Sequence, residues 1–129
     1  MKRSLVLTVL AAVLLSGCQT TQTNTTRADL LRYVDGAQLA VNVALSFAEV
    51  RGADAVTLTT AREHSMLTFA LLRDALSVDT ADLPAAAAQL RVLAADVFAL
   101  CEGVGVNAAR MAALREGVER VLVVLEGAV

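Results

Sequence analysis

A chain of 129 residues that is 57% hydrophobic but only 3% aromatic, with no Trp, draws its apolar content from alanine, valine and leucine and can build one modest core. Formal net charge is −2, Lys2 is the sole lysine, and no run of cations marks a face that would hold phosphates, which argues against a nucleic-acid partner. Aliphatic, alanine-heavy sequence of this kind favours helices over strands.

Residues 1–17 follow the pattern of a secretion signal. Basic Lys2 and Arg3 come first, then an apolar run from Leu5 to Leu15 broken only by Thr8, then the small residues Ser16 and Gly17. A bilayer span needs about 20 apolar residues, so this run is too short for a permanent transmembrane helix. It ends in Leu15-Ser16-Gly17-Cys18, which resembles the lipobox of bacterial lipoproteins at all four positions. That resemblance implies diacylglycerol on the Cys18 sulfur, cleavage just before Cys18, and acylation of the amino group so released, with palmitate-type chains. A cysteine suits this role because its soft, ionisable sulfur is the nucleophile. Each buried methylene contributes about 0.8 kcal/mol to membrane association, and two or more chains make the anchor stable.

Gln19 stands where an aspartate signals inner-membrane retention in many Gram-negative lipoproteins. The place implied is therefore the inner leaflet of the outer membrane, facing the periplasm. Loss of Lys2 and Arg3 with the signal takes the net charge from −2 to −4. Beyond the box, the chain is only loosely similar to small alanine-rich helical lipoproteins of bacteria and prophages.

After Cys18, Gln19 to Thr26 is polar and uncharged, and cannot bury enough apolar area to order itself. With Cys18 it forms a tether, residues 18–26. Its eight polar residues reach at most about 29 Å when extended. Residues 27–129 divide into four helical stretches, predicting an antiparallel up-down-up-down four-helix bundle.

The first stretch opens with a capping box of Thr26 and Asp29, ends at Gly52, and places Leu30, Tyr33, Ala37, Ala40, Val41, Ala44 and Ala48 inward. The second runs from about Ala55 to Leu76, with Leu58, Ala61, Ser65, Phe69, Leu72 and Leu76 inward and Glu63, His64 and Asp74 outward. The third follows Asp82 as cap, tolerates Pro84 in its first turn, and turns Leu83, Ala87, Leu90, Ala94, Val97 and Cys101 inward. Gly103 and Gly105 break the chain before Asn107 caps the fourth, whose stripe is Met111, Leu114, Val118, Val121, Leu122 and Leu125. Gly127 stops it. Downstream of the signal, the longest uncharged run is Gly36 to Ala48, well short of a membrane span.

Catalytic chemistry is not expected. His64 has no second histidine or cysteine at ligand spacing and reads as a solvated surface residue. Cys101 lies on an apolar stripe and reads as a small buried residue, not as a nucleophile paired with His64. The carboxylates alternate with arginines over the outer faces, and Gly103-Val104-Gly105 matches no phosphate-binding motif. No enzyme, metal or cofactor is expected beyond the covalent lipid on Cys18.

Two features remain. Leu39, Val43 and Phe47 on the first helix and Leu67 and Leu71 on the second lie outside the main stripes. Exposed together they would form a patch, with Leu67 and Leu71 as the candidate partner surface. The loop at residues 103–107 should share one end of the bundle with the Gly52 turn, away from the membrane, where a partner can dock. These features give a membrane-anchored structural or interaction module, contacting lipid through Cys18 and either an envelope protein or a second copy through its surface. The alternatives are a prophage-encoded accessory lipoprotein of lysis or superinfection exclusion, and a bundle that binds a small apolar ligand between its helices.

Overall fold

The computed structural model describes residues 27–78 and 82–127. They form four helices, α1 (Arg27–Val50), α2 (Ala55–Ser77), α3 (Leu83–Gly103) and α4 (Ala108–Gly127), and no strand occurs among the described residues. The architecture is the all-α four-helix bundle that the periodicity predicts. The expected signal sequence, Cys18, the expected tether and the expected Thr26 cap lie outside the described residues.

Cross-helix ion pairs fix direction and register. Arg62 early in α2 meets Glu49 at the end of α1 at 3.2 Å, and Arg73 late in α2 meets Asp35 near the start of α1 at 2.7 Å, so the two helices run antiparallel. On α3, Arg91 reaches Glu126 at 2.8 Å and Glu119 at 3.2 Å, both on α4, while Arg115 pairs back to Glu102. Exposed pairs like these stabilise weakly, and their worth here is as markers of alignment. The interleaved charges of the sequence are thus seams between neighbouring helices.

Inside, α1 buries Leu30, Val34, Ala37, Val41, Ala44, Leu45 and Ala48. Val34 and Leu45 take core places that the wheel assigns to Tyr33 and Ala40; Tyr33 is 44% exposed and Ala40 half-buried. Alanines carry too little apolar weight to set a helix's rotation, so the two larger side chains decide it, and Tyr33 keeps its hydroxyl end in water. The predicted stripes of α3 are all buried, with Ala86, Leu93 and Phe98 added. On α2, Ala61 is half-buried and Thr68 and Ala75 join the core; on α4, Leu114 is half-buried and the rest of the stripe is buried. No buried side-chain nitrogen or oxygen among the described residues lacks a partner, as a dry core requires.

Helix α3 touches α2 and α4 as neighbours and α1 across the diagonal. The diagonal approach is close because Ala37 and Ala44 on α1 and Ala87 and Ala94 on α3 are small and buried. Across this diagonal the Cys101 thiol donates to the Ala44 carbonyl at 3.2 Å. Contact on three sides also explains why α3 is apolar and long enough to cross a membrane by length and composition, a property the run of uncharged residues did not reveal. Much of that apolar surface is spent inside the bundle, which buries 44% of the stretch.

Both α1 and α3 end in the same device. Ala53 N–H bonds to Ala48 O at 2.9 Å and Gly52 N–H to Glu49 O at 3.0 Å; Val106 N–H bonds to Cys101 O at 3.0 Å and Gly105 N–H to Glu102 O at 3.1 Å. These are paired Schellman bonds, each with a left-handed glycine, Gly52 at φ 91° and Gly105 at φ 80°. Asn107 caps α4 as expected, its Oδ1 accepting from Ala109 N–H at 2.9 Å and Arg110 N–H at 3.2 Å. Asp54 does the same for α2, accepting from Thr57 N–H at 3.0 Å. Asp82 occupies the cap position of α3 but makes no side-chain cap bond, with helical φ −83° and ψ −6°. Capping side chains act from an extended backbone, and Pro84 in the first turn removes one donor that would need an acceptor.

Candidate functional site

Cys18, the lipid-bearing residue implied by the lipobox, lies outside the described residues. The pair Leu67 and Leu71 is on the surface of α2, 71% and 42% exposed. The larger patch does not assemble around it. At about 100° per residue, Leu67 lies about 140° round α2 from Arg62, the residue that reaches α1, so the pair faces away from that helix. Leu39 is exposed on α1, while Phe47 is half-buried under an α4 arginine, Arg110, whose guanidinium carbon sits 5.1 Å from the ring centroid. The apolar residues of α1 and α2 therefore belong to different faces.

His64 is half-buried, not fully solvated as its position on the wheel implies. Among the described residues no three His, Cys, Asp or Glu side chains group in a way that would hold a metal ion. Cys101 is buried and free. Burial pushes its thiol above the ordinary cysteine range, with nearby Arg115 opposing the shift, so the nucleophilic thiolate is disfavoured.

Two concave places stand out, and both involve α4. The first is a groove of about 680 Å³ along the α3–α4 seam. Its floor is Ala95, Phe98, Ala99 and Leu122, and its rims are the ion pairs of Arg91 with Glu119 and Glu126 and of Arg115 with Glu102. Arg115 also lies 5.4 Å over the Phe98 ring. The Glu126 carboxyl is held below the ordinary glutamate range, chiefly by the hydrogen bond from Arg91, and the Arg91 guanidinium is correspondingly raised.

The second is a cavity of about 370 Å³ at the end of the bundle where the Gly52 turn meets the 103–107 loop. The two turns do share one end, as their place in the chain predicts, and they are joined: Arg51 Nε donates to the Val104 carbonyl at 3.3 Å. Phe47, Val50 and Val106 form the apolar wall, and Arg51, Arg110 and Asn107 the polar one. Sequence reasoning named this loop pair but missed its arginines. The signal was present, since Arg51 adjoins the first turn and Arg110 stands three residues after the cap Asn107. No protein-family model, curated protein or solved structure matches the chain.

Proposed function

We propose that this chain is a lipid-anchored protein of the bacterial envelope, held through Cys18, whose bundle acts by contact as a structural or interaction module and not by catalysis. The observation that carries this reading is the register of three signals: Lys2 and Arg3, the apolar run Leu5 to Leu15, and Leu15-Ser16-Gly17-Cys18 at its end. An eight-residue tether then keeps the bundle within about 29 Å of its bilayer. Leu67 and Leu71, exposed and turned from α1, are the candidate surface for an envelope protein or a second copy.

Labelling cells with tritiated palmitate tests the anchor. The wild-type chain is expected to take up label and Cys18→Ala to accumulate as an unlabelled precursor. A free Cys18 thiol in the mass of the purified protein overturns the anchor. Chemical crosslinking in intact cells tests the surface: Leu67→Asp with Leu71→Asp should erase a crosslinked species while leaving the melting temperature in place. A second reading, a small apolar ligand, is favoured by the apolar floor of the α3–α4 groove, whose volume falls within the usual range for ligand pockets. Saturable binding of a fluorescent fatty acid, lost in Ala99→Glu, is the expected result under it.

A further inference from the structure

We propose that the cavity at the Gly52 and Gly105 end is a binding site for a carboxylate carried on a small apolar body. Beyond Arg27, the first described residue, every described arginine has a carboxylate partner except two: Arg32 pairs with Asp29, Arg62 with Glu49, Arg73 with Asp35, Arg91 with Glu119 and Glu126, Arg115 with Glu102, and Arg120 with Glu116. Arg51 and Arg110 have none among the described residues, and both line this one cavity. The acids at that end are committed elsewhere: Glu49 to Arg62, Glu102 to Arg115, and Asp54 to the backbone and hydroxyl of Thr57. An acidic protein thus concentrates two unanswered positive charges around one cavity.

Both guanidinium groups are held in place. Arg51 spends only Nε on Val104, which leaves its two terminal amino groups to donate. Its Nη2 rests against Gly105, where an added Cβ would come within 3.2 Å, so the glycine makes room for the guanidinium as well as supplying its left-handed turn. Arg110 is set by its 5.1 Å stacking over Phe47. Groups positioned beforehand lose less freedom when a ligand arrives, and a guanidinium fork matches the two oxygens of a carboxylate.

Phe47 lies beneath Arg110, and Val50 and Val106 add apolar surface beside the two cations that a bare inorganic anion would leave unused. The volume, near the low end of the range for ligand sites, suits a short branched acid or a single chain-terminal residue. The shared chemistry is an apolar carboxylate, and the lipid anchor plays no part in the argument.

The test uses the full chain in non-ionic detergent, with isotope-labelled amide resonances of Gly105 and Asn107 as the readout. N-acetyl-leucine is expected to shift both saturably, and N-acetyl-leucinamide, which lacks the carboxylate, to leave them unmoved. Arg51→Gln and Arg110→Gln should each weaken binding about ten- to a hundredfold, the effect of losing one charge-assisted contact. Arg120→Gln, an equal change of charge on an outer face, should not weaken it. Equal binding of 4-methylpentanoate supports a free acid as the ligand; tighter binding of Ala-Ala-Leu supports a polypeptide carboxyl terminus. The proposal is overturned by no saturable shift, by equal binding of the amide, by inorganic phosphate competing as well as N-acetyl-leucine, or by Arg120→Gln matching Arg51→Gln. Melting temperatures of all variants, unchanged, keep a loss of binding from being a loss of fold.

Discussion

Arg115 in the α3–α4 groove and Arg110 at the turn-bearing end occupy similar settings, one guanidinium 5.4 Å above Phe98 and the other 5.1 Å above Phe47. Arg115 is neutralised by Glu102 across the seam, while Arg110 shares its cavity with Arg51 and no acid. The difference comes from chain direction. Along the antiparallel α1–α2 and α3–α4 seams, acids and arginines on facing helices fall into matched registers and cancel. At the end, the parallel helices α1 and α3 both finish, and what their last turns offer a cation is carbonyl oxygen, as Val104 offers to Arg51. Charge is therefore balanced along the α1–α2 and α3–α4 seams, and the two cations at the turn-bearing end are left without an acid.

Four measurements bear on that contrast, beginning with the largest effect. The rings differ in depth, Phe98 being 5% exposed and Phe47 half-buried. Phe98→Ala should cost about 3–5 kcal/mol in urea unfolding followed by circular dichroism, and Phe47→Ala less than half as much. Equal losses would mean that the cavity wall is as much core as the groove floor. Gly105→Ala places a β-carbon at positive φ, and should cost about 1–2 kcal/mol by the same measurement while displacing Arg51. Asn107→Ala removes the cap of α4 beside Arg110 and should cost about 1 kcal/mol, with Asn107→Gly milder.

The smallest effect is one of pH and belongs to the seam alone. Because Arg91 holds the Glu126 carboxyl below its ordinary range, the stability it contributes is present above the unfolded glutamate value, about 4.3, and is lost as pH falls through the lower folded value. Glu126→Gln should flatten the acid limb of the urea midpoint against pH. Arg51→Gln should leave that limb unchanged, and 1 M salt should shrink the difference. An acid response in the Arg51 variant would show a carboxylate partner at the end that the structure does not place there.

Periodicity made the fold legible because apolar side chains recur at helical spacing over four long stretches, and because Gly52, Gly105 and Asn107 punctuate them with conformations that other residues adopt at a cost. It misjudged α1 at Tyr33 and Val34, since a stripe of alanines fits several rotations and only packing chooses one. It also gave Asp82 a capping bond on residue type alone, although the local backbone there is helical. The candidate site was legible as a place, two loops at one end, but not as chemistry. Which arginines remain unanswered depends on cross-helix registers such as Arg62 with Glu49, and a single-helix wheel holds no information about its neighbour.

Cys101 is sealed while α1 and α3 stay together, since its Sγ bonds to a backbone carbonyl of the opposite helix. Alkylation under native conditions must wait for the two helices to part, so at reagent concentrations where reclosing outpaces alkylation its rate, divided by that of an open thiol, gives the equilibrium constant of a local opening. The same two helices end at the arginine-lined cavity. An occupant that braces that end should slow the chemistry of a sulfur it never touches, and the chain thus carries its own clock for how often its centre comes apart.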